Sequence, residues 1–258
     1  MNKSKFILIR HAESEYNLAA RLAVNSSKEV TNFKEESLKI KQDESLIDCG
    51  LTQYGIQQCL ESAQKMSSFN VDIVLVSPLR RAIQTAHYLF RDHPNKPKFI
   101  VVPFLREMLS SSCDIGGNLT TTMNEFPQFD YSRILNTEFL QQYPNMWTME
   151  YLWNQEQKQQ MKQYLLQQQC DDLNSRGPKH ILDYLFQYPP DSVVETFMDT
   201  MNRIKQAKQE LSFYRNQNVI CVTHSRFLQT ISAQQFDAEG KPKDGTWIKN
   251  CDYIEVDI

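Results

Sequence analysis

The stretch FILIRHAESEYN, Phe6 to Asn17, carries an apolar run straight into an Arg-His pair and then turns polar. A short, continuous apolar run predicts a strand covered on both faces. Arg10 and His11 then stand just beyond its carboxyl end. In open α/β sheets that edge is where chemistry is done, because helix N-termini point their unpaired N–H groups there.

Four further short aliphatic or β-branched runs read as strands: Asp72–Val76, Lys98–Val102, Val219–Thr223 and Tyr253–Ile258. Helix signals fall between them. SPLRRAIQTAHYLF offers Ser77 as N-cap, Pro78 at the first helical position and an apolar stripe through Leu79, Ala82, Ile83, Ala86 and Phe90. The stretch beginning DSVVETFMD predicts a capping box from Ser192 and Glu195, with Val194, Phe197, Met201, Ile204 and Leu211 as its stripe. A third helix is predicted from Thr52 to about Ser67. The pattern predicts an α/β fold, a three-layer α/β/α sandwich with a mostly parallel central sheet.

Two segments interrupt the alternation. Lys28–Ser45 is charged and weakly periodic, and reads as a solvated loop or short surface helix. The interval from about 109 to 190 is too long for a structureless loop, so it predicts a helical cap inserted into one domain spanning 1–258. Tyr143, Trp147, Tyr151, Leu152 and Trp153 are most simply that cap's own small core, and its glutamine run is compositional.

The chain has 258 residues, of which 41% are apolar and 23% charged, with a net charge of −3. Those values exclude the basic footprint of a nucleic-acid binder. No apolar run reaches the ~18 residues of a membrane span, and the start lacks a signal-peptide pattern, so the expectation is a cytoplasmic protein with no membrane partner. Cys49, Cys59, Cys113, Cys170, Cys221 and Cys251 show no metal-ligand or disulfide-framework spacing and read as reduced thiols. No metal site and no cofactor is predicted.

A second strand-end histidine, His224, follows VICVT, with Ser225 as a possible cap for the next helix. Arg80 and Arg81 follow the second strand across SPL, and Glu107 follows the third, beside Arg106. A lone strand-end histidine is more often structural, and His87, His93 and His180 have no pattern around them. The ordered set differs, because four strands each bring a polar group to one edge. Arginines can clamp a phosphoryl group, a neutral imidazole can attack phosphorus, and a carboxylic acid can protonate the departing alkoxide. The inventory fits phosphoryl transfer without a metal.

The ordered stretches RHAESEYN, LTQYGIQQ, SPLRRAIQTA, LRE and VTHS resemble the histidine phosphatase superfamily, in its phosphoglycerate-mutase-like branch. The resemblance covers Phe6–Arg91, Ile100–Glu107 and roughly Asp191–Ile231. It implies that His11 is the nucleophile that becomes phosphohistidine, and that Arg10, Asn17 and Arg81 bind phosphate. His224 would bond the phosphoryl oxygens and Glu107 would be the proton donor, with Glu13 a second candidate. Its register favours Arg81 over Arg80. Ala12 and Ser225 replace frequent glycines, and neither removes a catalytic group. The mutase-type continuation after Asn17 is missing, which favours a phosphatase over a glycolytic mutase. The expected substrate is a phosphorylated small molecule or a phosphoprotein. The alternatives are mutase-type transfer or a scaffold that kept the fold without activity; the oligomeric state is not written in the sequence.

Overall fold

Alternate residues of a strand point to opposite faces of a sheet, and here both faces are covered. Six strands, β1 (Lys5–Arg10), β2 (Ile73–Val76), β3 (Lys98–Val101), β4 (Phe129–Asp130), β5 (Val219–Thr223) and β6 (Tyr253–Asp257), form one sheet in the order β4-β3-β2-β5-β1-β6. These elements come from a computed structural model that describes residues 5–26, 30–152, 155–168, 172–187 and 195–258. Every neighbouring pair is parallel except β1 with β6.

Ile9, Val74, Val76, Ile220 and Val222 face α3 (Gln53–Met66) and α4 (Arg80–Phe90) through Cys59, Met66, Ala82, Ile83, Ala86 and Phe90. Phe6, Leu8, Ile73, Leu75, Val219 and Cys221 face the opposite layer, where Ile204, Ala207 and Leu211 of one helix and Phe227, Leu228 and Ile231 of another complete a second core. The three-layer sandwich with a mostly parallel sheet is thus observed, and all of β2 and β5 is buried.

Before α3, α1 (Glu15–Ser26) and α2 (Val30–Gln42) follow β1. The charged 28–45 stretch is therefore mostly helical; Lys28 lies outside the described residues. Between β3 and β5 come α5 (Leu119–Glu125), α6 (Glu138–Gln142), α7 (Trp147–Glu150), α8 (Gln155–Gln167), α9 (Leu173–Gln187) and α10 (Phe197–Ser212), and α11 (Ser225–Ser232) follows β5. Leu109, Ile115, Met146, Met149, Leu152, Met161, Leu165, Ile181 and Leu185 form a separate apolar cluster for this helical region. Trp147 and Tyr151 instead pack on the main core, and Trp153 lies outside the described residues. Within the same interval Phe129–Asp130 adds the edge strand β4 to the sheet, stacking Phe129 on Phe99 with ring centroids 4.5 Å apart.

Three predicted helix starts differ. Helix α4 begins at Arg80, leaving Ser77 and Pro78 in the preceding turn; the N-cap Leu79 is apolar, and Asp48 Oδ1 accepts the Arg80 N–H at 2.7 Å instead. A carboxylate from a distant loop thus does the work assigned to Ser77. Helix α10 begins at Phe197, with Thr196 and Asp199 forming the capping box. Ser192 and Val194 lie outside the described residues, and Glu195 is drawn to two arginines. Helix α11 is N-capped by His224, with Ser225 its first residue. Thr52 caps α3 as predicted, accepting the Gly55 N–H at 2.9 Å.

Candidate active site

Parallel pairing aligns the strand ends. Arg10 of β1 pairs with Thr223 of β5, and Val76 of β2 pairs with both Val222 of β5 and Val101 of β3. The residues that follow these strands must therefore meet at one edge. The His11 and His224 rings lie there with centroids 5.0 Å apart. Arg81, in the first turn of α4, donates its Nε–H to His11 Nε2 at 3.3 Å. Arg80 turns away to Glu125, leaving Arg81 as the one of the two beside His11.

The two ring nitrogens of His11 have different partners. Nδ1 lies 2.7 Å from the Ala12 carbonyl, which can only accept, so Nδ1 carries the proton and Nε2 holds a lone pair. Burial, then the charges of Arg81 and Arg10, push the His11 pKa well below its ordinary value against the Ala12 carbonyl. The same causes, led by burial and Arg81, lower His224. Both rings are neutral at pH 7. His224 Nε2 lies 2.7 Å from Ser77 Oγ, and its Nδ1 is buried with no partner among the described residues.

Arg10 donates to the Ile248 carbonyl at 2.9 Å and lies under the Trp247 ring, while its buried Nε has no partner among the described residues. Burial lowers its pKa, Glu107 opposes that, and Arg81 adds to it. Glu107 sits at the N-terminus of α11. One oxygen accepts from the Met108 and Phe227 N–H groups, at 2.9 and 3.2 Å; the other accepts from Arg226 N–H and Ser225 O–H, at 3.1 and 3.2 Å. Burial and the Asp114 carboxylate push its pKa up, against those N–H donors. Because a hydroxyl can reverse its role, Ser225 can accept from a protonated Glu107 as readily as it donates to the anion.

Asn17, in the first turn of α1, is tied to the His11 segment: its Oδ1 accepts from Ser14 N–H at 3.3 Å and from Asn250 Nδ2 at 3.2 Å, and Asn250 also donates to the His11 carbonyl at 2.9 Å. Glu13 stands apart, accepting from Arg21 at 2.8 Å and from the Thr52 hydroxyl at 3.0 Å. Those partners belong to α1 and the α3 cap. Ala12 stays out of the positive-φ region that would have demanded glycine, and donates its N–H to Thr85 Oγ1 at 3.1 Å.

The set is sealed: His11, His224, Arg10, Arg81 and Glu107 are each buried. A surface cavity of about 430 Å³, lined by Phe104, Arg133, Asn136, Tyr151, Arg203 and Glu210 among others, contains none of them. Among the described residues no three His, Cys, Asp or Glu side chains are grouped as a cation site, and no helix is long and apolar enough to cross a membrane.

Residues 36–155 match the histidine phosphatase superfamily (branch 1). Over that stretch, under half of its length, the chain is similar to the histidine phosphatase superfamily, and its mostly parallel α/β sheet is consistent with that fold. Its fold is similar to a putative alpha-ribazole-5'-P phosphatase from Escherichia coli, at 16% identity and a TM-score of 0.50, over 100% of this chain and 91% of that one. A mycobacterial glucosyl-3-phosphoglycerate phosphatase gives 14% identity and a TM-score of 0.49 over 98% and 90%. A phosphoglycerate mutase from Bacillus anthracis gives 15% and 0.49 over 98% and 88%. No curated protein matches the chain.

Four residues of this histidine phosphatase fold's site went unread in the sequence. Ser77 was assigned to a helix cap, and Asp48, Asn250 and Asp114 lie in loops with no local pattern. Asp114 is buried and receives Arg81 Nη2 at 2.9 Å. Only its position a few residues after Glu107 hinted at the same rim.

Proposed function

We propose that this chain is a metal-independent phosphomonoesterase acting through a phosphohistidine on a phosphorylated small molecule or phosphoprotein. The observation that carries the reading is the pairing of His11: Nδ1 is committed to the Ala12 carbonyl, and Nε2 keeps a lone pair beside Arg81. A neutral, oriented imidazole is the nucleophile that in-line attack on phosphorus needs. In this reading Nε2 forms the bond to phosphorus while the bond to the ester oxygen breaks. Arg10, Arg81 and His224 Nδ1 stabilise charge on the equatorial oxygens. Glu107 protonates the leaving oxygen, then takes a proton from the water that attacks phosphohistidine. Asn17 supports the phosphate from the first turn of α1, where Asn250 donates to its Oδ1. The helices between 109 and 190 act as the cap that selects the substrate.

The test is turnover of a generic aryl phosphate in the presence of chelator, with trapping of acid-labile phosphoenzyme. The expected result is turnover inhibited by vanadate, and a phosphoenzyme that His11→Ala lacks. Labelled phosphoenzyme in that variant would reassign the nucleophile. The second reading, a fold kept without activity, is favoured by one observation: Arg81 has its donors taken by protein groups. Absence of turnover and of oxyanion binding would select it.

A further inference from the structure

Arg81 is the arginine nearest the His11 lone pair, yet each nitrogen of its guanidinium already donates to a protein group. Nε donates to His11 Nε2, Nη1 to the Cys113 carbonyl, and Nη2 to Asp114 Oδ1 at 2.9 Å. Both members of the ion pair are almost completely buried. A carboxylate therefore holds one arm of the fork of donors that a phosphoryl group would use, since both anions draw on the same guanidinium N–H groups. The Nε–H also lies on the lone pair that attack requires. We propose that Asp114 is an internal anion that occupies Arg81 in the resting site and must be displaced by a phosphoryl group, so that it sets phosphate affinity.

The seat of Asp114 suits an exchange of partners. Its Oδ2 accepts from Ser110 N–H at 3.2 Å, Ser110 O–H at 3.1 Å and Ser111 O–H at 2.9 Å. When Arg81 leaves, those three donors remain on the carboxylate, so a buried charge is not left bare. Arg81 in turn passes from one anion to another. The segment that moves, Ser110–Asp114, directly follows the strand-end stretch that carries Glu107. A substrate that reaches Arg81 therefore changes the surroundings of both carboxyl groups at once. Asp114 raises the pKa of Glu107, so replacing it by a phosphoryl dianion keeps a negative charge beside the proposed acid.

This inference rests on the phosphatase reading, and the test separates the two. Inorganic phosphate is titrated calorimetrically into the full chain and into Asp114→Asn, which keeps the shape and removes the charge. The expected result is a Kd at least tenfold lower in the variant. An unchanged or higher Kd overturns the proposal, because a merely structural aspartate would leave binding unaltered or weaken it. Should Asp114→Asn fail to fold, the double variant Ser110→Ala, Ser111→Ala removes hydroxyl donors from Oδ2. It drives the carboxylate harder onto Arg81 and is expected to raise the phosphate Kd several-fold; a lower or unchanged Kd there overturns the proposal. Binding by Asp114→Asn alone, with none by the natural chain, supports it even if no ester is hydrolysed. No binding by either removes both readings.

Discussion

Ser77 Oγ lies 2.7 Å from His224 Nε2 and also accepts the Leu79 N–H at 3.3 Å. With that N–H directed at the oxygen, the hydroxyl proton is free to point at the imidazole. His224 then carries its own proton on Nδ1, the nitrogen left without a partner. Ser77→Ala releases the ring to the other tautomer and removes a donor aimed at the phosphoryl oxygens. The expected result is a loss of about 10²–10³-fold in kcat/KM for an aryl phosphate, the range for removing one preorganised donor. Melting temperature measured alongside separates this from unfolding.

The buried histidines make the protein sensitive to acid. His11 and His224 have folded pKa values well below 6.5, so as pH falls through 6.5 the unfolded chain takes up protons the folded chain refuses. Stability is fully present above that value and is lost below it, at up to about 1.4 kcal/mol per pH unit for each ring. Urea melts between pH 7 and 5 measure this. Double substitution of both rings by Gln should flatten the dependence, and an equal slope in that variant would assign it to other groups. The same shift predicts that the acid limb of the phosphorylation step, set by His11, falls well below 6.5.

For Glu107, the leaving group is the diagnostic. Glu107→Gln should slow single-turnover phosphorylation by an alkyl phosphate by about 10²–10⁴-fold, while a nitrophenyl phosphate, whose anion leaves without a proton, should lose much less. Equal slowing of both esters would reject Glu107 as the acid.

Glu195 is bound at both oxygens: Arg106 at 2.6 and 2.9 Å, Arg203 at 3.1 Å, and Leu109 N–H at 3.0 Å. Burial resists its ionisation, yet the two arginines hold its pKa down at about 2. Glu195→Gln leaves two buried guanidinium groups without an anion and should cost about 3–5 kcal/mol. A midpoint shift in urea with unchanged slope checks this. A loss under 1 kcal/mol would show that the carbonyls of Phe104, Arg106 and Glu107, which the same arginines bind, suffice.

The central sheet was legible because most of its strands carry short runs of aliphatic or β-branched residues, continuous in β2 and β5. Five of the six strands stand where the sequence predicted them, and the positions of His11, Glu107 and His224 at the sheet edge followed from that, whereas spacing left Arg80 and Arg81 open and only the family resemblance chose between them. The sixth, Phe129–Asp130, is two residues long and sits after Pro127, too little for any period to show. Helix starts failed where tertiary partners replaced local ones. Asp48 caps α4 from thirty-two positions away, and Glu195 abandons a capping role for Arg106 and Arg203. Asp114 on Arg81 joins α4 to a segment thirty-three positions away, which no local spacing records.

The strand that presents His11 is held between two of the last strands of the chain: Ile7 pairs with Ile220 on one side and with Glu255 on the other. The turn before β6 completes the arrangement, with Cys251 N–H on the Arg10 carbonyl at 3.1 Å and Asn250 on that of His11. A nascent chain emerging amino-terminus first therefore exposes the reactive loop long before its supports exist. Closing so distant a pairing is entropically slow. In a refolding experiment, helix signal should return ahead of phosphate binding, and competence should arrive only with the docking of β6 and the turn before it.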